Sequence, residues 1–182
     1  MKKLILVAGL PGVGKSTISR RVSEITGARI VDIDDFKKVD TDPTLVKNQV
    51  DPPELRWLYY KKALKYVFDL FDSGVSTVVM DEVFHLNSLR SQMEALCAER
   101  QVQVLWVEVL CSYDTVEKRL SFKSREGHIL STEEALKMNI LFKGIFESFS
   151  IDCRNHVTVY NDSEESIDNC LAQIMEGSLM IS

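Results

Sequence analysis

The sequence predicts a three-layer α/β/α fold around a five-stranded parallel β-sheet, and three observations support this class. Five short apolar runs alternate with segments of helical periodicity along the chain. The first run, Leu4 to Ala8, is continuously apolar, as is typical of a strand covered on both faces. Two irregular polar stretches, residues 36–53 and 121–131, follow strands or their helices, on the side where ligands bind in open α/β sheets.

Each element is predicted from its periodicity and its boundary residues. The strands, in chain order, are predicted at residues 4–8, 28–33, 76–80, 102–110 and 156–160. Helices are predicted from 15 to 26, from 54 to the stop at Gly74, from 89 to 100, from 112 to 120, from 131 and from 162. Apolar residues at spacings of three and four mark the helices, and Ser-Thr-Glu-Glu at 131–134 is a capping-box pattern. Because parallel strands require crossovers that cover both faces of a sheet, we expect one domain over residues 1–182.

Composition and charge argue against several classes of protein. The formal net charge of -5 means that the chain as a whole has no basic face, which disfavours tight binding to nucleic acid or to anionic membranes. No segment approaches the apolar length of a membrane span. The four cysteines show no CxxC pair or metal-ligand spacing, so we expect reduced thiols and a cytoplasmic protein.

A phosphate-binding motif follows the first predicted strand. Residues 9–16, GLPGVGKS, match the pattern GxxxxGK followed by Ser or Thr, and the motif lies between a buried strand and a helix. In that context backbone amides and the helix N-terminus point at phosphate groups, and the glycines allow close approach of the backbone. The residues expected to bind the nucleotide are Gly12, Val13, Gly14, Lys15, Ser16 and Thr17. The alternative is a glycine turn that binds no ligand.

These residues favour Mg-ATP as the ligand. Lys15 would neutralise the β and γ phosphates during transfer, which is a catalytic role. Ser16 would offer its hydroxyl to Mg2+, and Thr17 would support the α-phosphate. We therefore expect ATP and Mg2+ as cofactors.

Carboxylates stand at the carboxyl ends of two predicted strands. Asp32, Asp34 and Asp35 follow the second strand, whereas Asp81 ends the third, with Glu82 a weaker candidate beside it. Strand alternation would direct Asp32 and Asp34 to one side, where one holds a water of the Mg2+ shell and the other accepts the proton of an attacking hydroxyl. Asp81 would orient Mg2+ through water. Which of the three earlier acids is the base stays open, and helix capping is the alternative for Asp34, Asp35 and Asp81.

Two arginines are candidate cations for the transferring phosphoryl group. Arg119 lies on the helix after the fourth strand, and Arg125 lies in the break at residues 121–131 that we expect to form a lid. Cations there would stabilise the equatorial oxygens of the phosphoryl group, and closure of the lid would exclude water. Surface ion pairing is the alternative for both arginines.

Four segments, GLPGVGKSTISRRV, IDDFKK, VVMDEVFHLNSLR and VEKRLSFKSRE, carry a resemblance that covers most of the chain. On these segments the chain resembles the P-loop kinases of small metabolites and nucleotides, in particular the ATP-binding kinases related to the polynucleotide kinase 5'-kinase domain and the zeta toxins. It is also similar to the shikimate and gluconate kinases. The resemblance implies a P-loop NTPase fold with strand order 2-3-1-4-5.

The resemblance also implies individual roles. The first Asp of the family's Asp-Asp-aromatic-basic segment is the general base, which corresponds to Asp34, and Lys37 stands where an arginine is usual. Arg90 aligns with a basic position that contacts the acceptor or its phosphates. Adenine would lie between the helix of Arg119 and the turn after the fifth strand, near Asn161.

Three functions are compatible with these features. The first is an ATP-dependent kinase that transfers the γ-phosphoryl group to a hydroxyl of a small-molecule acceptor, acting as a monomer or a homodimer. The second is a polynucleotide or nucleotide-sugar kinase of the zeta-toxin type, whose nucleic-acid version the acidic net charge disfavours. The third is a regulatory ATP-binding NTPase. Residues 36–53, the expected acceptor-binding segment, contain no arginine, which argues against a nucleoside monophosphate acceptor.

Overall fold

The computed structural model of the chain describes residues 1–40, 50–122, 132–149, 155–163, 167–169, 171, 172 and 174. Its strands are β1 Lys2–Ala8, β2 Arg29–Asp32, β3 Thr77–Glu82, β4 Val102–Leu110 and β5 His156–Tyr160. Its helices are α1 Lys15–Thr26, α2 Ile33–Asp40, α3 Pro53–Asp72, α4 Asn87–Glu99, α5 Tyr113–Phe122 and α6 Thr132–Ile145. Within these described ranges, no helix has both the length and the apolar character that crossing a membrane requires.

The five strands form one parallel sheet in the order β2-β3-β1-β4-β5, which confirms the predicted fold class and strand order. β1 lies at the centre, where Leu6 pairs with Met80 of β3 on one side and with Trp106 of β4 on the other. Because all the strands are parallel, their carboxyl ends lie along one edge of the sheet. The loop after β1, the start of α2 and the end of β3 therefore meet at that edge.

Helices cover both faces of the sheet, and β1 takes part in both cores. Leu4 and Leu6 pack in the core that includes α3 and α4, whereas Ile5 and Val7 pack in the core that includes α1 and α5. Side chains of a strand alternate between faces, so a central strand with two cores has no polar side. This arrangement explains why the first apolar run of the sequence is continuous, and it holds the loop after β1 on a rigid base.

The segment after β2 differs from the prediction. β2 ends at Asp32 and α2 begins at Ile33, so residues 33–40 are helical rather than part of a strand and an irregular stretch. The Asp32 carboxylate accepts a hydrogen bond of 2.9 Å from the backbone N–H of Asp34, which is the geometry of a helix N-cap. Strand alternation therefore stops at Asp32, and the argument that placed Asp32 and Asp34 on one side of a strand was wrong.

Candidate active site

The loop between β1 and α1 has a backbone that suits anions. Gly12 and Gly14 have φ angles of +85° and +97°, values that residues with a side chain rarely adopt. The N–H of Thr17 bonds to the carbonyl of Gly14 at 3.0 Å, which begins the first turn of α1. The first N–H groups of α1, at Lys15 and Ser16, have no intrahelical acceptor, because every helix leaves its first turn of donors unpaired. Such groups bind phosphate.

Gly14 lies against the side chain of Asn161, which follows β5. A Cβ atom on Gly14 would come within 2.2 Å of Asn161 Nδ2, so a glycine is required. Asn161 Nδ2 also donates a hydrogen bond of 2.7 Å to the carbonyl of Val13. Arg119 donates to the same carbonyl and to Asn161 Oδ1, both at 3.4 Å. The structure thus brings Arg119 and Asn161 into direct contact beside the loop. That adenine lies near them stays a prediction.

The ammonium of Lys15 lies inside the site. Its Nζ donates a hydrogen bond of 3.1 Å to the carbonyl of Leu10. Burial lowers the pKa of this ammonium, and the negative charges of Asp81, Glu82 and Asp34 act in the opposite direction. The Ser16 hydroxyl bonds to Asp81, and Lys37 pairs with both Glu82 and Asp34. These contacts bring the phosphate loop and the acids of β3 and α2 into one site.

Ser16 and Asp81 are joined directly. The Ser16 hydroxyl donates a hydrogen bond of 2.9 Å to Asp81 Oδ2. In the sheet, Asp81 is the register partner of Val7 in β1 and of Asp32 in β2, so three adjacent strands bring their ends to this point. Burial raises the pKa of the Asp81 carboxyl, while the charge of Lys15 and the hydrogen bond from Ser16 oppose that change. Two of the residues expected at Mg2+, Ser16 and Asp81, are therefore neighbours.

The three acids after β2 have different surroundings. Asp32 caps α2, as described above. Asp34 lies in the first turn of α2, with its Oδ1 3.0 Å from Lys37 Nζ and 42% of its side chain exposed. Asp35 is exposed. Asp34 is therefore paired with Lys37 while its carboxylate stays accessible.

Glu82 is a buried carboxylate that the sequence indicated only weakly. Its Oε2 pairs with Lys37 Nζ, and its Oε1 lies 3.4 Å from Arg56 Nη1. Oε1 also accepts a hydrogen bond of 2.9 Å from the backbone N–H of Val83. Burial acts to raise the pKa of the Glu82 carboxyl, but the charges of Lys37 and Arg56 outweigh it and hold the pKa well below its usual range. Lys37, expected at the acceptor, is thus tied to β3 as well as to Asp34.

Arg56 was missed by the sequence analysis. It is 4% exposed, although arginine is seldom buried without a partner. A signal was present in the pattern of α3, because Arg56 precedes the buried residues Tyr59, Tyr60 and Ala63 at spacings of three, four and seven. A cation on the apolar stripe of a helix indicates a buried anion opposite it, and here that anion is Glu82.

The structure gives Arg90 a setting different from the expected one. Its guanidinium donates hydrogen bonds of 2.7 Å to the carbonyl of Phe84 and 2.6 Å to the carbonyl of Glu147. It also donates to the side chain of Asn87 and lies 4.1 Å from the centroid of the Phe149 ring. Arg90 is 4% exposed and holds the chain after α6 against the connection between β3 and α4. Because its donors bind protein acceptors, we do not place Arg90 at the acceptor.

Two predicted parts of the site lie partly or wholly outside the described residues. These are Arg125, with residues 123–131 of the expected lid, and residues 41–49 of the expected acceptor segment. The helix after the expected lid, α6, does contact the phosphate loop. Asn139 of α6 is 3% exposed and donates a hydrogen bond of 2.6 Å from Nδ2 to the carbonyl of Pro11. This contact was not predicted from the sequence.

The residues present fit a nucleoside triphosphate with Mg2+. The loop offers unpaired amides and the ammonium of Lys15 to phosphate, and the Ser16 hydroxyl with the Asp81 carboxylate offers oxygen ligands. Within the part of the chain that the structure describes, no group of three or more His, Cys, Asp or Glu residues is arranged to hold a metal. Mg2+ commonly binds through one or two protein oxygens together with substrate phosphates, so the pair at Ser16 and Asp81 suits it.

Comparison with models of protein families shows which family the chain belongs to. The model of a family described as AAA domain matches residues 4–142. This span includes most of β1, the phosphate loop, β2 to β4 and most of α6. The chain belongs to this AAA domain family. The matched span contains the phosphate loop, Asp34 and Asp81, whereas β5 and Asn161 lie beyond it.

Curated relatives of this AAA domain are longer proteins. Uncharacterized proteins of Mycobacterium tuberculosis and Mycobacterium bovis are each 29% identical to it over 117 residues. Each alignment covers 60% of this chain and 23% of the relative. The chain therefore spans less than a quarter of the length of the curated relatives that it matches.

Solved structures share the fold over almost the whole chain. A sugar kinase from Janibacter sp. has a TM-score of 0.71 at 20% identity, with 96% of this chain and 95% of that chain covered. A gluconokinase from Sinorhizobium meliloti has a TM-score of 0.69 at 15% identity, with coverages of 99% and 97%. The APS kinase of Mycobacterium tuberculosis, solved in complex with AMPPNP and APS, has a TM-score of 0.61 at 18% identity, with coverages of 97% and 96%. At these identities the likeness shows the fold, and it is the predicted P-loop kinase fold.

Proposed function

We propose that this AAA domain is an ATP-dependent phosphotransferase that moves the γ-phosphoryl group of Mg-ATP to a hydroxyl of a small-molecule acceptor. The observation that carries the proposal is the contact of Asp34 with Lys37, because Lys37 also pairs with Glu82. Glu82 adjoins Asp81, whose carboxylate accepts a hydrogen bond from Ser16 of the phosphate loop. A domain that only binds a nucleotide has no use for a carboxylate at that point. Transfer to an alcohol does, because a group must take the hydroxyl proton.

On the nucleotide side, the loop amides would bind the phosphates, and Lys15 would balance the charge on the β and γ groups. Ser16 and Asp81 would hold Mg2+, which when bound neutralises charge on the phosphate oxygens. Thr17 would lie near the α-phosphate. Arg119 and Asn161 would line the nucleotide beside the loop, because both contact the Val13 carbonyl.

On the acceptor side, Asp34 would act as the general base. The acceptor oxygen would form a bond to the γ-phosphorus as the bond from that phosphorus to the bridging oxygen of ADP breaks. The hydroxyl proton would pass to Asp34, so that the products are the phosphorylated acceptor and ADP. Lys37 stays a proposed acceptor contact, and Arg125 a proposed cation of the lid.

The acceptor is proposed to be a small alcohol rather than a nucleic acid. The similar structures are a sugar kinase, a gluconokinase and an APS kinase by their names. The net charge of -5 opposes binding to a polyanion. A cytoplasmic location, where ATP is abundant, completes the proposal.

The test replaces Asp34 with asparagine, which keeps the shape of the side chain and removes its basicity. Acceptor-dependent ADP release would be measured with a panel of sugars, sugar acids, nucleosides and aminoglycosides. We expect the Asp34→Asn variant to lose about 100- to 10,000-fold in kcat. Binding of ATP, measured by calorimetry, is expected to stay within about twofold, because Asp34 lies on the acceptor side.

Asp35→Asn is the matched control, since it makes the same change one residue further along α2 at an exposed side chain. This variant is expected to keep full activity. If Asp35→Asn is inactive and Asp34→Asn is active, the base is Asp35. If no acceptor raises ADP release by the unaltered protein, the regulatory ATP-binding function replaces the kinase proposal.

A further inference from the structure

Glu82 connects three elements of the proposed site. The carboxylate, whose side chain is 7% exposed, pairs through Oε2 with Lys37 of α2 and through Oε1 with Arg56 of α3. The backbone N–H of Val83 holds Oε1 at 2.9 Å. One buried side chain at the end of β3 thus fastens both helices that follow β2.

Lys37 extends this connection to Asp34. The same Nζ that pairs with Glu82 lies 3.0 Å from Asp34 Oδ1, and the Lys37 side chain is 17% exposed. Asp34 and Lys37 are three residues apart on α2, so their side chains are neighbours on one face of the helix. The place of the Asp34 carboxylate therefore depends on an ammonium that Glu82 anchors.

Burial distinguishes this cluster from the ion pairs on the surface. Lys65 and Asp69 of α3 form an exposed pair, with 79% and 60% of their side chains accessible, and such pairs contribute little. A buried charge, in contrast, is costly to leave without its partner. The buried ion pairs of Glu82 therefore hold its neighbours in place more firmly than a surface ion pair does. A carboxylate that reacts, as proposed for Asp34, needs neighbours that fix its position in this way.

We propose that Glu82 is a positioning residue for phosphoryl transfer. Through Lys37 it places the carboxylate of Asp34 at the acceptor hydroxyl, and through Arg56 it sets α3 against the end of β3. The inference rests on the proposed function, in which Asp34 is the base. Glu82 acts through other residues and touches no reacting atom.

The first test is Glu82→Gln, which keeps the size of the side chain and an acceptor for the Val83 N–H but removes the charge that anchors Lys37. We expect kcat to fall about 10- to 100-fold, because a small displacement of a base lowers the rate strongly. The KM for ATP is expected to change by less than about twofold, since the phosphate loop is intact. Asp69→Asn, which removes an exposed carboxylate from α3, is the matched control and is expected to keep the unaltered kcat.

The second test asks whether Glu82 acts through Lys37. Lys37→Met, Glu82→Gln and the double variant form a double-mutant cycle. If Glu82 works through Lys37, the double variant is no slower than the slower single variant. Losses that multiply would show independent roles and would overturn the inference. Glu82→Asp retains the charge on a shorter side chain and is expected to recover part of the lost kcat.

The third test needs no acceptor. A crystal structure of Glu82→Gln is expected to show the Asp34 carboxylate displaced by about 1 Å or more. Asp34 in its original place refutes the positioning role. If the thermal melting curve shows that Glu82→Gln does not fold, the crystal structure and the kcat of Glu82→Asp are measured instead, and the same outcomes test the positioning role. An unaltered protein without acceptor-dependent turnover refutes the proposed function itself, whereas equal turnover by the unaltered protein and Glu82→Gln refutes the Glu82 role alone.

Discussion

The hydroxyl of Ser16 and the carboxylate of Asp81 meet across the end of the sheet, with 2.9 Å between Oγ and Oδ2. The two residues are 65 positions apart in the chain, and the parallel pairing of β1 with β3 brings them together. Burial raises the pKa of the Asp81 carboxyl, but the charge of Lys15 opposes that change. A hydroxyl, a carboxylate and an ammonium in this arrangement suit a divalent cation next to phosphate.

Asp81→Asn tests this relationship. The variant keeps an oxygen for Ser16 but loses the negative charge, so we expect the Mg2+ concentration for half-maximal activity to rise about 10- to 100-fold. ADP release measured against Mg2+ concentration, at saturating ATP, gives this value. Asp72→Asn, an exposed acid at the end of α3 that pairs with Lys2, is expected to leave it unchanged. An unaltered Mg2+ dependence in Asp81→Asn would count against a metal at this position.

Gly14→Ala tests the close approach of Asn161 to the phosphate loop. Gly74 has nearly the same φ, +100° against +97°, but a Cβ there would meet nothing within 4 Å. Gly74→Ala is therefore expected to lower the free energy of unfolding by the cost of a left-handed backbone, about 1 to 2 kcal/mol. Gly14→Ala adds the clash with Asn161 and is expected to lower the free energy of unfolding by about 1 to 3 kcal/mol more than Gly74→Ala does. Urea unfolding of both variants measures the difference, and equal losses would show that the clash relaxes freely.

The stability of the protein is expected to depend on the protonation of His85. Burial, together with the charge of Arg56, lowers the pKa of His85 to about 4. Its Nδ1 has no hydrogen-bond partner among the described residues, so a proton there would gain no acceptor. The unfolded chain takes up this proton near its usual pKa of about 6.5. The free energy of unfolding should therefore fall as the pH decreases from about 6.5 to about 4.

His85→Gln removes this titration and supplies the comparison. Urea unfolding at pH 7 and at pH 5 should show a smaller loss of stability for His85→Gln than for the unaltered protein. Identical losses would mean that other groups cause the pH dependence.

The fold could be predicted well because its central elements obey simple patterns. β1 is apolar on both faces, and the glycines at residues 12 and 14 adopt the backbone that the motif requires. The boundary after β2 could not be predicted. A carboxylate at the end of a strand and one that caps a helix look the same in a sequence, and the hydrogen bond from Asp34 to Asp32 decides between them.

The residues of the candidate site could be predicted only where a short stretch of sequence marks them. Ser16 and Asp81 stood out, because each ends or follows a recognisable apolar strand. The cluster of Glu82, Lys37 and Arg56 joins residues 45 and 26 positions apart, and no local pattern records such pairing. The hydrogen bonds of Arg90 could not be predicted for the same reason, since its acceptors at residues 147 and 148 lie far along the chain.

The central position of β1 separates two groups of side chains in the candidate site. Asp34 and Glu82 lie on the side of β2 and β3, whereas Arg119 and Asn161 lie on the side of β4 and β5. The loop after β1 borders both sides. Under the proposed function, substitutions in α2 and α3 would alter which alcohol is accepted, while Arg119 and Asn161 would keep their contacts with the Val13 carbonyl. Under the proposed function, acceptor specificity could thus be redesigned on the side of β2 without rebuilding the side of β5.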